Sequence, residues 1–166
     1  DILASYYKDS NIEKFNNISK INSKTINLTD YNIEYLSPIK QLYKDINSHL
    51  NNYLLNALLH GSLSDLTYKK GWSDLDTFFI VNKETCSNSQ RLLELRSTIL
   101  RLNKYIYQID NLAHHEYIFI TEFDLNKYNS LFLPSVVIKN AKSLFSKSKS
   151  FFIYENSNQH NYNVIS

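Results

Sequence analysis

The order of apolar segments predicts a mixed α/β (α+β) fold, a small mixed sheet flanked by helices. Three observations carry this. Between residues 38 and 145 the pattern runs helix, strand, strand, helix, strand, helix. The only two glycines, Gly61 and Gly71, both lie in the stretch 58–81, between and beside two apolar runs. The 166 residues and 43% hydrophobic content are sufficient for one real core.

Residues 1–36 form a polar N-terminal extension, with scattered apolar positions such as Ile2, Leu3, Phe15, Ile18 and Ile21 that predict a short helix or two. The main domain is expected over 37–154. Ser37-Pro38 is a helix start, a cap residue followed by proline. Ile39, Leu42, Tyr43, Ile46 and Leu50 then recur at helical spacing. Tyr53 to His60 is a compact apolar run and reads as a buried strand. Asp74 to Val81 is a second, richer in aromatics. Ser87-Asn88-Ser89 caps a long helix whose apolar face is Leu92, Leu95, Ile99, Leu102 and Ile106. His115 to Phe123 reads as a third strand, Pro134 opens a last helix through Phe145, and Phe151 to Tyr154 is an edge strand. Residues 155–166 are polar and expected to fray.

Composition excludes several classes. A net charge of +2 is too small to imply nucleic acid by itself. No apolar run approaches the roughly 20 residues that span a bilayer. The single cysteine, Cys86, excludes an internal disulfide and fits a reducing compartment, so a cytoplasmic location is expected. The chain begins at Asp1 and contains no Met, which predicts a piece of something longer.

The chemistry concentrates in His60-Gly61-Ser62 and Ser73-Asp74-Leu75-Asp76. On a strand, residues i and i+2 share a face, so Asp74 and Asp76 project together about 7 Å apart along the backbone. Such a pair can converge on one or two Mg²⁺ ions, which take a few carboxylates and complete their shell with water and phosphate oxygens. Ser-Asp pairs are also ordinary turn formers. Gly61 ends one strand and Ser62 begins a helical turn, whose N–H groups and hydroxyl suit a phosphate. The same residues also serve as a tight turn with Ser62 as helix cap.

Gly-Ser, eleven residues, then Asp-x-Asp leading into Phe-Phe-Ile-Val resembles the signature of the DNA polymerase beta-like nucleotidyltransferases. The likeness is strongest to their small bacterial branch, the aminoglycoside and minimal nucleotidyltransferases. The resemblance implies a nucleotidyltransferase fold over about residues 38–145. It implies metal at Asp74 and Asp76, and phosphates at Gly61 and Ser62, with Lys69 and Lys70 placed to meet a triphosphate. It also implies a third carboxylate acting as base and metal ligand, for which Glu116 is chosen over Glu122 and Asp124. The linker Leu66-Thr67-Tyr68-Lys69-Lys70 departs from the small, Arg- and Gly-rich character usual there. The expected substrates are a nucleoside triphosphate, ATP before others, and a hydroxyl acceptor on a small molecule, protein or tRNA.

Other residues point elsewhere. His114-His115 invites a metal site, but adjacent strand residues face opposite ways. His60 is expected to pack in the core. Cys86 lacks an obvious His partner. Lys139, Lys142, Lys147 and Lys149 read as a solvated face. Trp72 is left between stacking on a base and anchoring its turn. Three functions are weighed: nucleotidyl transfer, an interaction module of the same fold acting as an antitoxin-like or regulatory partner, and nucleic-acid binding. The aspartate pair argues against the last, because it repels phosphate without metal.

Overall fold

A computed structural model describes residues 15–156. It is a mixed α+β structure built on a four-stranded sheet in the order β4-β3-β2-β5. The strands are β2 (Leu54–Leu59), β3 (Thr77–Val81), β4 (Ile118–Thr121) and β5 (Lys142–Ser143). β2 pairs antiparallel with β3 and β5, and β3 pairs parallel with β4.

The two central strands are apolar on both sides, so each face of the sheet needs a cover. Alternation sorts their side chains. Leu54, Ala57, Leu59, Phe79 and Val81 point into one core. That core is closed by α1 (Ser37–His49), α4 (Ser89–Leu102) and α5 (Lys104–Ile109). Leu58, Phe78 and Ile80 point into the other. There β1 (Phe15–Ile21) pairs antiparallel with β6 (Phe151–Asn156) to form a separate two-stranded sheet. A 3₁₀ turn at Asp124–Lys127 and α6 (Ser135–Asn140) complete that side.

Within the N-terminal extension, residues 1–14 lie outside those described, but Phe15–Ile21 is a strand where a short helix was expected. The cause is non-local: Ile21 pairs with Phe151 and is buried in the second core, while Ile26, Tyr31 and Leu36 enter the first. The edge strand expected at Phe151–Tyr154 is present as β6, and residues beyond 156 are outside the described range.

α1 begins at Ser37 with proline in its first turn, as its sequence predicts, and buries Ile39, Leu42 and Ile46. The helix expected from residue 89 through Ile106 breaks near Asn103, where the Ile106 N–H bonds back three residues to the Asn103 carbonyl. Asn88 caps α4 by accepting the Arg91 N–H. Leu92, expected on the buried face, is exposed, and Thr98 is buried instead. The last helix stops at Asn140 rather than Phe145, because β2 has an open edge. Ala141 turns extended, β5 pairs with Leu58 and Leu59, and the Leu144 N–H reaches the Ala57 carbonyl at 2.7 Å. The strands expected from Asp74 and from His115 begin later, at Thr77 and Ile118, leaving irregular segments at one end of the sheet.

Candidate metal centre

That end of the sheet gathers the chemistry. Leu59 is opposite Thr77 and Lys142, and Phe78 is opposite Ile118. His60, Asp76, Lys142 and the segment 115–117 therefore leave the sheet together. Gly61 opens α2 (Gly61–Asp65), a short turn closed by Leu66 in the left-handed region at φ 61°.

Asp74, Asp76 and His115 form a cluster whose ligand atoms lie within 4.8 Å of one another. His115 Nε2 is 3.1 Å from Asp74 Oδ2 and 3.2 Å from Asp76 Oδ1. The other ring nitrogen, Nδ1, meets the Glu116 carbonyl at 3.2 Å. The three side chains are 21–34% exposed, so the cluster is shielded yet reachable from solvent.

Gly61 is required by Asp76. Its φ is +63°, and a Cβ there would collide with Asp76 Oδ2 and lie 3.1 Å from Asp76 Cγ. The His60 N–H also donates to the Asp76 carbonyl at 3.0 Å. The two halves of the motif are thus one packed unit. Gly71 has a similar φ of +77°, but a Cβ there meets nothing within 4 Å. It serves the turn at 69–73, where Trp72 and Ser73 donate backbone bonds to the Lys69 carbonyl.

The electrostatics follow from crowding two acids at a shielded site. Burial, then repulsion from Asp74, pushes the Asp76 carboxyl above its ordinary range, with His60 and His115 opposing. Burial disfavours the charged form of His115, but the Glu116 carbonyl and the carboxylates of Asp76 and Asp74 outweigh it and raise its pKa. His60 is held below the ordinary histidine range by burial, against the pull of Asp76. His115 and Asp76 thus shift each other's titration across a contact of 3.2 Å, with Asp74 3.1 Å from the same ring nitrogen.

The loop that delivers His115 is pinned from below. Asp110 is buried, and its carboxylate accepts the N–H groups of Leu112 at 2.9 Å and His114 at 2.7 Å. Burial works against that charge, yet those bonds and the His114 ring hold its carboxyl below the usual range. Tyr117, two residues after His115, is buried against Phe79 at a centroid distance of 5.2 Å and donates its hydroxyl to the Leu102 carbonyl.

None of the other expected acids belongs to the cluster. Glu116 is exposed and outside the cluster, and His115 occupies the place beside the aspartates that Glu116 was expected to take. The segment before β4 is irregular, so strand alternation does not govern which neighbour turns inward. Glu122 and Asp124 sit at the far end of β4. There Glu122 accepts the Lys83 N–H at the start of α3 (Lys83–Cys86), and Asp124 accepts from Thr121. Lys69 is exposed, and the Lys70 ammonium lies over the Tyr35 ring at 5.7 Å. The cation beside the Gly-Ser turn is Lys142, whose Nζ donates to the Ser64 carbonyl. Expected with Lys139, Lys147 and Lys149 on a solvated face, it lies instead in β5 and is half-buried. Trp72 is 80% exposed, so burial does not anchor its turn. Cys86 is half-buried, and burial pushes its thiol pKa up, which leaves it a poor nucleophile.

The donor set suits a metal ion. Four buried side-chain polar atoms among the described residues lack hydrogen-bond partners, and three of them, His60 Nε2, Ser64 Oγ and Thr77 Oγ1, belong to the segment 60–77. Buried polar groups are rarely left so, and at His60, whose ring feels the charges of Asp76, Asp74 and His115, a bound water or polar ligand would supply the partner its Nε2 lacks. Comparisons with protein-family models, with curated proteins and with solved structures find no significant match. No helix among the described residues is long and apolar enough to cross a membrane.

Proposed function

We propose that this protein is a metal-dependent nucleotidyltransferase, moving a nucleoside monophosphate, AMP before others, from its triphosphate to a hydroxyl acceptor. The observation that carries this is the packing of the Asp76 carboxylate onto Gly61, which makes the Gly-Ser turn and the Asp-x-Asp segment one site. Asp74, Asp76 and His115 would hold the divalent ion, and Gly61, Ser62 and Lys142 line the adjoining turn for phosphates. The bound ion would neutralise charge on the α-phosphate and on the leaving pyrophosphate. The acceptor oxygen bonds to the α-phosphorus, the bond from that phosphorus to the β-phosphate's bridging oxygen breaks, and the hydroxyl proton passes to water. Trp72, exposed and two residues before Asp74 in sequence, would offer a face for the base.

The test is transfer of label from α-labelled ATP or GTP, with Mg²⁺ or Mn²⁺, to aminoglycoside, tRNA and protein acceptors, with release of pyrophosphate. Asp76→Asn should abolish transfer while leaving the fold intact. Activity retained in that variant would overturn the metal assignment.

One observation favours a second reading. Glu116 is outside the cluster, so a three-carboxylate centre is not assembled, as in a fold retained as an interaction module. That reading predicts neither metal-dependent nucleotide binding nor transfer.

A further inference from the structure

We infer that the Asp74–Asp76–His115 cluster selects a transition divalent ion of the Mn²⁺ class over Mg²⁺. The inference rests on the metal reading of this site, and not on nucleotidyl transfer. Mg²⁺ demands near-ideal octahedral geometry and keeps to oxygen ligands, whereas imidazole favours the first-row transition ions. Mn²⁺ stands lowest in their affinity order and accepts carboxylates as Mg²⁺ does, but as a transition ion it also takes a nitrogen ligand more readily than Mg²⁺. A centre with a histidine in place of a third carboxylate therefore shifts preference away from Mg²⁺.

The placement of His115, which forms an ion pair with the aspartates in the metal-free chain, also suits a ligand. Cis donors around an octahedral ion at about 2.1 Å lie about 3 Å apart. The Nε2-to-carboxylate separations of 3.1 and 3.2 Å have that size. Nδ1 is held from behind by the Glu116 carbonyl, which leaves Nε2 as the nitrogen facing the aspartates. Metal-ligating histidines are oriented in this way by a backbone carbonyl or a carboxylate.

A second observation is independent of the cluster. His60 is 8% exposed, and its Nε2 has no hydrogen-bond partner. The charged groups acting on its ring are Asp76, His115 and Asp74. A water on an ion held by those three residues would supply the partner this nitrogen lacks. Three protein donors leave open positions on a six-coordinate ion, as a site for water or phosphate requires.

The experiment titrates MnCl₂ and, separately, MgCl₂ into the metal-free full chain, with bound Mn²⁺ followed by electron paramagnetic resonance. Electron spin echo modulation then reports any nitrogen bonded to the ion. The expected result is Mn²⁺ bound at least about tenfold more tightly than Mg²⁺, with coupling from one imidazole nitrogen. His115→Ala should lose that coupling and about tenfold or more in Mn²⁺ affinity. His115→Asp should strengthen Mg²⁺ binding and narrow the preference, which keeps the test decisive if the alanine variant folds poorly. Mn²⁺ bound without nitrogen coupling, equal affinity for the two ions, or coupling that persists in His115→Ala would overturn the inference while leaving a metal site. Failure to bind either ion would overturn the metal reading with it. Nitrogen-coupled Mn²⁺ without any nucleotide transfer would uphold the inference and contradict only the enzymatic proposal.

Discussion

Gly61 and Gly71 make a matched pair for testing how the site is built. Both have positive φ, +63° and +77°, so alanine at either incurs a backbone penalty of about 1–2 kcal/mol. For a chain of this length that is a fall in Tm of about 2–8 °C, at 2–4 °C per kcal/mol. Only at Gly61 does the new methyl meet a side chain. It collides with Asp76 Oδ2 and crowds Asp76 Cγ at 3.1 Å, so the carboxylate must move by about 1 Å to regain ordinary contact. Displacement of a site group on that scale costs as much as ~100-fold in function. Thermal unfolding should therefore show comparable losses for Gly61→Ala and Gly71→Ala, somewhat larger for the former. Calorimetric titration of a divalent ion should show affinity unchanged within about twofold in Gly71→Ala and reduced at least tenfold in Gly61→Ala. Equal metal affinity in the two variants would refute the claim that Gly61 exists to seat Asp76.

Other expectations follow from the same geometry. Asp110→Asn should cost about 2–3 kcal/mol near neutral pH, read by denaturant unfolding, because a buried anion accepting two backbone N–H groups is lost. Asp110's folded pKa is depressed, so its contribution is present above its unfolded pKa, near 4, and disappears as pH falls through the folded value. The difference between wild type and Asp110→Asn should vanish in acid. In the metal-free protein the raised pKa of His115 stabilises the fold fully below about pH 6.5 and is lost as pH rises through the folded pKa. His115→Gln should be less stable than wild type at pH 5.5 and approach it in alkali. Trp72 is the only tryptophan and is 80% exposed, so its fluorescence should be quenched or shifted when nucleotide and metal bind together, with no change on adding either to Asp76→Asn.

What was legible in the sequence was whatever depended on local pattern. The buried strand ending at Leu59, the helix opened by Ser37-Pro38 and the cap at Asn88 are encoded within a few residues each. The Gly-Ser turn and Asp-x-Asp pair were also readable, since their residue types are rare in this chain or chemically specific. What escaped depended on distant partners. Phe15–Ile21 is a strand because Phe151–Asn156 pairs with it. Ser143 leaves helical conformation because its hydroxyl reaches Asn56 Oδ1 at 2.8 Å and β2 offers an edge. At the site, strand parity argued against a metal role for His114-His115, but that segment precedes β4 and is irregular. Its course is set by Asp110 binding the backbone of Leu112 and His114, so His115 rather than Glu116 meets the aspartates. The adjacent His-His-Glu run was the available signal; the resemblance pointed to Glu116 as the third acid, whereas the residue that clusters with Asp74 and Asp76 is His115.

The central claim, a nucleotide site completed by metal at Asp74 and Asp76, is tested most directly by calorimetric titration of ATP and GTP. Each titration is run with and without divalent ion, into the wild type and into the Asp74→Ala, Asp76→Ala double variant. Wild type should bind nucleotide only when metal is present, and the variant should bind none. Binding that persists without metal or in the variant, or no binding to folded wild type at all, would contradict it.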